Sequence, residues 1–349
     1  MKILVTGSSG LIGSEAVRYF GKQGHEIIGV DSNLRKFFFG EGGDTSWNLK
    51  LLQDLKINFS HRSVDIRNRE AVLDLFKEIK PEATIHCAAQ PSHDLAAKMP
   101  FEDFDTNAVG TMNLLEASRR FSFDSPFVFM STNKVYGDAP NELNLIETPT
   151  RWDYGDNEYF NGIAEDFRID RTKHSLFGAS KVAADIMTQE YGKYFNMPTV
   201  SFRGGCLTGP SHSGVELHGF LNYLIRCAIT GKHYTIFGYK GKQVRDQIHS
   251  EDVVKAFECF IKNPKPGEVY NLGGGRENAA SVLECIELIT ELSGKKLNYT
   301  LSDENRIGDH ICYISDLKKM RTDYPEWNVV YSLKEITQQI IDQIQSANL

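Results

Sequence analysis

The chain has 349 residues, of which 41% are apolar and 24% charged, and its net charge is -7. This length allows about two domains with a sizeable core, while the acidic balance argues against a nucleic-acid partner, which needs a basic face. We expect no membrane span and no secretion signal, because no run reaches the roughly 20 apolar residues of a spanning helix. Six scattered cysteines predict reduced thiols, no metal site and a cytoplasmic location.

Short apolar runs alternate with helical patterns over the first two hundred residues. The runs predict strands at Lys2–Thr6, Glu26–Val30, Asn58–His61, Ala83–Ala88, Pro126–Ser131 and Pro198–Arg203. The patterns between them predict helices at Leu11–Gln23, Arg69–Glu78, Phe101–Arg120 and Phe177–Phe195. Strands without polar alternation are typical of sheets covered by helices on both faces. We therefore predict an α/β protein with a doubly wound parallel sheet, the Rossmann fold.

Beyond Arg203 the pattern changes to a mixture of short elements, with helices predicted at Glu251–Lys262, Ser281–Ser293 and Ser332–Gln345. We predict a nucleotide-binding domain over 1–205 and a smaller C-terminal α+β lobe over 206–349 that binds the substrate. Residues 141–175 form a long polar insert that is rich in aromatic side chains. A segment of that length inside a compact domain is typical of a lid over a binding site or of a disordered insert, and the aromatic content favours the lid.

A glycine-rich segment, Gly7-Ser8-Ser9-Gly10-Leu11-Ile12-Gly13, joins the first predicted strand to the first helix. Gly7 permits a tight turn, Gly10 permits a close approach to a pyrophosphate, and Gly13 permits close packing of the helix on the strand. The N–H groups at a helix N-terminus favour an anion at that point. An ordinary glycine-rich turn is the alternative, but the strand–turn–helix context favours a dinucleotide, NAD.

Polar side chains follow the next strands at the same edge of the sheet. Asp31 ends the second strand, where a carboxylate binds the ribose hydroxyls of NAD and repels the 2′-phosphate of NADP. A helix N-cap is the alternative role of Asp31, and Arg35 is the feature that would favour NADP. Asn107 is a candidate cofactor contact with a helix–helix hydrogen bond as its alternative. The other predicted cofactor contacts are Asn33, Asp65, Ile66, Ala88, Ala89 and Gln90.

Two further motifs close the fifth strand and open the next helix, namely Ser131-Thr132-Asn133-Lys134-Val135-Tyr136-Gly137 and Ser175-Leu176-Phe177-Gly178-Ala179-Ser180-Lys181. With the glycine-rich segment they resemble the extended short-chain dehydrogenase/reductase family, which includes nucleotide-sugar epimerases and dehydratases. The resemblance continues through the motifs at 241–246, 271–274 and 306–309, and so covers nearly the whole chain. The segments STNKVYGD and GKQVRD are most similar to the CDP-paratose 2-epimerase branch.

The resemblance implies roles for individual residues. Thr132 matches the hydroxyl residue that hydrogen-bonds the sugar oxygen being oxidised, and Lys181 matches the lysine that binds the nicotinamide ribose. Arg245 and Arg306 match arginines that hold a nucleotide diphosphate with a bidentate guanidinium group; a surface salt bridge is the alternative role of each. Further substrate contacts are implied for Gln90, Asn133 and Arg203.

One position departs from the family motif Tyr-x-x-x-Lys, because Phe177 stands four residues before Lys181. The tyrosine normally takes the hydroxyl proton as hydride leaves, and a phenylalanine ring has no group for this transfer. Three explanations remain: a mutation that traps the substrate, a different native base, or NAD binding without turnover. Cys206, where the family commonly has Asn, favours a differently built pocket, as do the neighbouring Gly204 and Gly205. The candidate bases are His174, Cys206, Tyr154, Tyr159 and Asp170.

The resemblance implies NAD-dependent epimerisation of a nucleotide-activated sugar through a transient keto sugar, at C2 of a CDP-deoxyhexose in the branch named above. A nucleotide-sugar 4-epimerase, a sugar dehydrogenase and a catalytically silent NAD-binding scaffold are the alternatives. Asn133 and Lys134 stand where 4,6-dehydratases carry an acidic pair, which argues against dehydration. The helices predicted at Phe101–Arg120 and Phe177–Phe195 match those that form a dimer interface in the family, so we expect a homodimer.

Overall fold

The computed structural model describes residues 1–211, 219–304 and 308–346. Its strands are β1 Lys2–Thr6, β2 Glu26–Val30, β3 Phe59–Arg62, β4 Ala83–His86, β5 Phe127–Thr132, β6 Leu145–Glu147, β7 Trp152–Tyr154, β8 Thr199–Gly204, β9 Cys206–Thr208, β10 Tyr234–Phe237, β11 Val244–His249, β12 Glu268–Leu272, β13 Ala279–Ser281, β14 Tyr299–Ser302 and β15 Cys312–Tyr313. Its helices are α1 Leu11–Lys22, α2 Leu34–Phe39, α3 Ser46–Gln53, α4 Arg69–Ile79, α5 His93–Lys98, α6 Pro100–Phe104, α7 Gly110–Phe121, α8 Ser175–Phe195, α9 Phe220–Thr230, α10 Ser250–Lys262, α11 Val282–Ser293, α12 Lys318–Asp323 and α13 Leu333–Ser346.

The central sheet has the strand order β12–β8–β5–β4–β1–β2–β3, and its neighbouring strands run parallel. Successive side chains of a strand point to opposite faces. On β1, Ile3 and Val5 accordingly join the apolar layer under α1 and α10, while Leu4 joins the layer under α4, α7 and α8. Both faces are therefore buried, which explains the apolar runs without alternation. The predicted doubly wound parallel sheet is confirmed.

The predicted elements of the first half match the structure closely, with one exception. β1 and β2 have the predicted bounds, and β4 ends at His86 rather than Ala88. The helix predicted at Phe101–Arg120 is instead two helices, α6 and α7, joined by a π-helical turn at Asp105–Val109. None of the described helices combines the length and the apolarity that crossing a bilayer requires.

A smaller lobe lies beyond the carboxyl edge of the sheet. β11 is its central strand, with β13 antiparallel on one side, β15 parallel along its first part, and β9 parallel along its second part. β10 pairs with β14 in a separate parallel pair. The apolar faces of α9, α11 and α13 form one buried cluster that supports these strands. This is the expected α+β lobe.

The chain passes back and forth between the sheet and the lobe, so the predicted division at residue 205 needs correction. β12 returns to the sheet and pairs with β8, for example Asn271 with Arg203. α10, α12 and the segment at Tyr324 and Trp327 also pack in the apolar layer that contains α1. The sheet is thus completed by residues from the second half of the chain. Sequence pattern did not reveal this return because β12 is a single short strand.

The insert at 141–175 is attached to the smaller lobe. β6 and β7 form an antiparallel hairpin, and the Trp152 N–H donates to the carbonyl oxygen of Lys242 at 2.9 Å. Arg151 forms an ion pair with Glu284 at 2.5 Å. None of the described insert residues lines the large cavity of the molecule. The insert therefore packs against the smaller lobe and does not cover the cavity, which corrects the prediction of a lid.

Candidate cofactor and substrate site

A cavity of about 470 Å³ opens along the carboxyl edge of the sheet and continues between the sheet and the smaller lobe. It lies beside β1 and β4, where the strand order reverses, which is the usual ligand position in a doubly wound sheet. One end is lined by the turn between β1 and α1. The opposite end is lined by residues 234–237 of β10 together with Gln243, Arg245 and Gln247.

The glycine-rich turn has the shape that the sequence predicts for a pyrophosphate cradle. Gly7 has φ +66°, and a Cβ atom there would lie 2.8 Å from the backbone nitrogen of Ala88. A Cβ atom on Gly13 would lie 2.1 Å from the carbonyl oxygen of Gly7. Gly10 is the N-cap of α1 and lines the cavity, as do Leu11 and Ile12. Only glycine keeps the turn this close to the helix, and the helix N-terminus then faces the cavity.

Asp31 lies at the end of β2 in the wall of the cavity, with its carboxylate held in position. It accepts the Ser9 N–H at 2.9 Å and the Asn33 N–H at 2.8 Å. Arg35 also lines the cavity, packs over the ring of Phe39 at 4.7 Å, and has a pKa lowered to about 10 by burial. A carboxylate and a guanidinium group therefore share this part of the cavity wall.

Two residues predicted beside the cofactor are placed elsewhere. The side chain of Asn33 donates to Asp44 at 2.9 Å and accepts the Thr45 N–H at 3.2 Å, so it orders the loop before α3. Asp65 forms an ion pair with Arg67 at 2.6 Å. Neither is among the described residues that line the cavity, whereas the neighbouring Ile66 is.

Ala88 and Ala89 line the cavity, but Gln90 and Asn107 belong to a buried polar network behind it. The Asn107 amide donates to the Gln90 carbonyl at 3.0 Å, and the Gln90 amide donates to Asp103 at 2.7 Å. The Ser180 hydroxyl donates to the other oxygen of Asp103 at 2.6 Å. The network fixes α8 against the loop after β4, so these amides position the site rather than line it.

The reacting end contains Thr132, Phe177 and Lys181 in the cavity wall, as predicted. The Thr132 hydroxyl accepts the Lys134 N–H at 3.2 Å. The Lys181 ammonium donates to the carbonyl oxygen of Met130 at 2.8 Å, and burial lowers its pKa to about 8. Phe177 is 6% exposed and has no proton to exchange. The site therefore has the hydroxyl and the cation of the family motif, but not its phenol.

Most of the candidate bases lie outside the cavity. The His174 ring is held between the carbonyl oxygens of Thr172 and Val135, at 3.1 and 2.9 Å. Tyr154 is buried with its hydroxyl donating to the Cys312 carbonyl at 3.3 Å, and Tyr159 and Asp170 are not among the described lining residues either. Cys206 does line the cavity, but burial raises its pKa to about 11, so it is a thiol near neutral pH.

Arg245 reaches the cavity from β11, where its guanidinium group donates to Asp309 at 2.5 Å. Lys134 lines the same wall, donates to the Gly308 carbonyl at 2.9 Å, and has a pKa lowered to about 8 by burial. Burial alone would raise the pKa of Asp309, but Arg245 and Lys134 hold it well below its ordinary value. Two cations therefore share one carboxylate at this wall, and a net positive charge faces the cavity.

Four further substrate predictions have different outcomes. Asn133 lines the cavity. Arg203 instead forms a buried ion pair with Asp185 at 3.0 Å and donates to the Tyr136 hydroxyl at 3.1 Å, away from the cavity lining. Gln90 belongs to the network described above. Arg306, the second predicted arginine, lies outside the described residues.

Sequence reasoning missed His93, Gln243 and Gln247 as cavity residues. His93 opens α5 after the carboxyl end of β4, and its ring contacts Phe177 edge to face with a centroid distance of 5.0 Å. Gln243 and Gln247 flank Arg245 at alternate positions, which places all three on one face of the strand. A sequence signal for these cavity residues was available, because each follows, precedes or lies on a strand that borders the cavity.

A family model described as "NAD dependent epimerase/dehydratase family" matches residues 3–273. The chain belongs to this family. It is 32% identical to CDP-paratose 2-epimerase from Salmonella typhi over 99% of this chain and 100% of the relative. It is 28% identical to dTDP-glucose 4,6-dehydratase from Salmonella typhimurium over 90% of this chain and 82% of that protein.

Solved structures of nucleotide-sugar enzymes share the fold over the whole chain. UDP-glucose 4-epimerase from Thermus thermophilus in complex with NAD has a TM-score of 0.80 at 25% identity, covering 99% of this chain and 100% of that one. A Tyr-to-Phe mutant of UDP-glucuronic acid 4-epimerase from Bacillus cereus, in complex with UDP-4-deoxy-4-fluoro-glucuronic acid and NAD, has a TM-score of 0.81 at 25% identity with the same coverage.

NAD is the cofactor of this enzyme, and the residues of the cavity fit it. Glycine at positions 7 and 13 lets the turn lie against Ala88 and against α1, where a Cβ atom would clash with the backbone, and the N-terminus of α1 then lines the cavity. Asp31 and Lys181 both line the cavity that this turn borders. Within the described residues, no group of three or more His, Cys, Asp or Glu side chains is arranged to hold a metal ion.

Proposed function

We propose that the enzyme inverts C2 of a CDP-activated deoxyhexose, through a keto sugar that never leaves the site. The main support is that one cavity joins a dinucleotide cradle to a cationic wall at Arg245, in a chain similar along its full length to CDP-paratose 2-epimerase. Inversion at one carbon needs oxidation and reduction in sequence, so the cofactor returns to its starting state. A bound NAD that is not exchanged suits a deep, partly enclosed cavity.

The side chains at the reacting end have separable roles in this proposal. NAD supplies the carbon that accepts the hydride and later returns it. Thr132 donates or accepts a hydrogen bond at the sugar oxygen that becomes a carbonyl. Lys181 provides a buried positive charge beside that oxygen, which stabilises developing negative charge more strongly than the same charge in water. Cys206 and Phe177 give the wall an uncharged surface against which the ketone can turn.

The wall formed by Arg245 and Lys134 binds the diphosphate in this proposal. Arg245 is buried and Lys134 is partly buried, and both are directed by Asp309 and the adjacent backbone, so little side-chain entropy is lost when a ligand binds. A planar guanidinium group matches the two oxygens of a phosphate. The global charge of -7 makes this local cation pair necessary for a polyanionic substrate.

The far end of the cavity supports a polar ligand as well. Neither amide atom of Gln247 has a hydrogen-bond partner within the described residues, although the side chain is fully buried. A buried amide without partners costs roughly 1–3 kcal/mol for each unsatisfied group. A hydroxyl or phosphate oxygen of a nucleotide sugar would remove that cost, which favours a sugar nucleotide over an apolar substrate.

The experiment is turnover of a sugar deuterated at the reacting carbon. The chain is mixed with CDP-, UDP-, GDP- and dTDP-linked hexoses, and inversion is followed by proton NMR. We expect inversion with a CDP-linked sugar and retention of deuterium at C2, since the hydride returns to the carbon that it left. Inversion at C4 with a UDP-linked sugar would instead identify a 4-epimerase. Accumulation of reduced cofactor with a keto product would identify a dehydrogenase.

Phe177 is the observation that favours a second candidate, a scaffold that binds NAD and a nucleotide sugar without turnover. The turnover assay, combined with thermal unfolding, distinguishes the two candidates. A chain that is stabilised by a nucleotide sugar in thermal unfolding, but inverts no carbon in any of the four, is a scaffold. A ligand at about 100 times its Kd adds about 2.7 kcal/mol to stability, which such a measurement detects readily.

We also propose that the enzyme is a cytoplasmic homodimer. Phe101 on α6 is 81% exposed, Met112 on α7 is 39% exposed, and Ile186 on α8 is 39% exposed. Apolar side chains of this size on neighbouring helices are typical of an interface between copies. Sedimentation should give twice the chain mass, and Ile186→Glu should give monomers. Within the described residues none of the cysteines is joined in a disulfide, which suits a reducing compartment.

A further inference from the structure

His93 lies beside the ring that occupies the tyrosine position. It is half-buried at the start of α5, lines the cavity with Thr132 and Lys181, and packs edge to face on Phe177 at 5.0 Å between ring centroids. The imidazole therefore contacts the ring that stands at the family's tyrosine position. Among the described residues that line the cavity it is the one imidazole, the group that most often serves as a general acid or base in enzymes.

Ser175 holds the imidazole in a defined orientation. Its hydroxyl is 2.7 Å from Nδ1 of His93, and it also accepts the N–H of Gly178 at 3.3 Å. Ser175 is the first residue of α8 and has φ +61°, a left-handed conformation that costs a non-glycine residue free energy. Such strain persists where the surroundings require it, and here it directs the hydroxyl at His93.

Gly308 closes the other side of this pair. A Cβ atom at Gly308 would lie 3.1 Å from Nδ1 of His93 and 3.3 Å from the Cβ atom of Ser175. The Gly308 carbonyl in turn accepts the Lys134 ammonium at 2.9 Å. The imidazole is therefore packed between the start of α8 and the segment that carries Asp309, with its anchored nitrogen at the packed side.

We propose that His93 is the general base and acid of the reaction, in place of the tyrosine that Phe177 replaces. This assignment rests on the proposed epimerisation. Nδ1–H donates to the Ser175 hydroxyl throughout, and Nε2 takes the proton of the sugar hydroxyl as the carbon's hydride passes to NAD⁺ and the C–O bond becomes a carbonyl. When the hydride returns to the opposite face of the carbonyl, Nε2 gives the proton back, and the hydroxyl is restored.

Other ionisable groups at this end are less suited to that step. Cys206 has a pKa raised to about 11 by burial. The Lys134 and Lys181 ammonium groups donate to backbone carbonyls, as described above, and supply charge instead. The titratable and charged groups that share this part of the cavity, and that would influence a pH profile, are Asp94, Lys134, Lys181, Cys206, Arg245 and Asp309.

The first test is kinetic and uses the full-length protein with CDP-linked sugar. His93→Gln should lower kcat by roughly 10²–10⁴-fold, the usual contribution of a positioned acid or base, with KM unchanged. Added imidazole should restore activity to His93→Ala, and Phe177→Tyr should raise kcat in the His93→Gln background by supplying a hydroxyl at the family position. His174→Gln, a histidine held by backbone carbonyls outside the cavity, is the matched control and should keep parental kcat.

The second test reads the imidazole itself by NMR of ¹⁵N-histidine-labelled protein. His93 should be the Nδ1–H tautomer in the parent, and Ser175→Ala should abolish that preference. Binding of a CDP-sugar should shift the titration of the His93 nitrogens. This readout does not depend on turnover, so it decides the assignment even if His93→Gln does not fold.

The outcomes separate the two proposals. An active parent whose His93→Gln variant keeps its kcat, or whose His93 is the Nε2–H tautomer, overturns the role of His93 and leaves epimerisation standing. A parent that inverts no nucleotide sugar overturns the proposed function and with it the reaction assigned to His93. Loss of kcat that imidazole does not restore, together with a raised KM, would make His93 a structural residue only.

Discussion

The end of the cavity proposed for the cofactor and the end proposed for the sugar differ in how they are built. At the cofactor end the shape of the backbone dominates, because a Cβ atom on Gly7 or Gly13 would clash. The Asp31 carboxylate there is held in position, because it accepts two backbone N–H groups. At the sugar end the wall consists of ionisable side chains, in which Lys134 and Arg245 both pair with Asp309. The first end tolerates little change because its shape is the binding site. The sugar end accommodates different side chains, since Phe177 stands where the family motif has Tyr and Cys206 where the family commonly has Asn.

The largest effect should come from changing that backbone shape. In Gly13→Ala the new Cβ atom would lie 2.1 Å from the Gly7 carbonyl oxygen, so the turn must move. We expect a loss of roughly 3 kcal/mol in unfolding free energy, the upper end of overpacking costs, and loss of NAD binding. Denaturant unfolding and calorimetric titration with NAD measure the two effects.

Gly10→Ala is the control for that change, because its Cβ atom would be 3.3 Å from the same oxygen. It should bind NAD poorly while keeping most of the unfolding free energy of the apoprotein. Equal stability of the two variants would show that the packing of Gly13 is not what fixes the turn.

At the sugar end, Arg245→Ala should weaken nucleotide-sugar binding by roughly 1.5–3 kcal/mol, the value of a hydrogen bond to a charged group, which is about 10- to 150-fold in Kd. NAD affinity should be unchanged, since Arg245 is on β11 of the smaller lobe whereas Asp31 follows β2 of the central sheet. Calorimetric titration with CDP measures the effect. Arg276→Ala is the control, because Arg276 pairs with Asp153 at 2.7 Å outside the cavity lining. Equal CDP affinity of parent and Arg245→Ala would refute the cationic wall.

The choice between NAD and NADP tests the fixed carboxylate. The parent should bind NAD more tightly than NADP, and Asp31→Ala should reduce that preference by about tenfold, since a charge-assisted bond to ribose is lost along with the repulsion of a phosphate. Asp65→Ala, which removes the partner of Arg67 outside the cavity lining, should leave the preference intact. Equal affinity of the parent for both cofactors would make Arg35 the dominant group.

The smallest effect is a pH dependence specific to the sugar end. Burial lowers the pKa of Lys134 from 10.5 to about 8, so the folded state releases this proton before the unfolded state does. Stability should therefore rise as pH increases through about 8, because the cost of burying the charged amine disappears. Lys134→Met should flatten that rise by on the order of 1 kcal/mol. Urea unfolding at about pH 7 and about pH 9, on either side of the shifted pKa, measures it, with exposed Lys50→Met as the control. A rise that is the same in Lys134→Met contradicts the assignment.

Sequence predicted the sheet, the cradle and most of the reacting end because these depend on local pattern. Gly7, Gly13 and Asp31 are specified by backbone requirements that few other residues meet. Whether a polar side chain beside a motif faces the cavity is decided by strand alternation and packing instead. Arg203 ends a strand at the correct edge, yet its side chain turns toward Asp185 under α8. Nothing local distinguishes it from Arg245, which faces the cavity.

The histidines illustrate the same limit in another way. His174 stands three residues before Phe177 in sequence, which makes it the natural candidate for a base. In the structure its ring is capped by two carbonyls, while His93, more than eighty residues away, contacts the phenylalanine. Proximity in sequence across a helix start does not predict proximity of side chains, because the first turn directs successive residues to different sides.

The late return of β12 to the sheet has a consequence for synthesis of the chain. Until Glu268–Leu272 have been made, β8 is an edge strand whose outer N–H and C=O groups have no partner. Unpaired edges of this kind promote association between incomplete chains. The nascent protein therefore passes through a stage of more than sixty residues in which its cofactor domain is nearly built but still open at one side. Destabilising substitutions in β12 should consequently lower the yield of native protein more than they lower the stability of the finished enzyme.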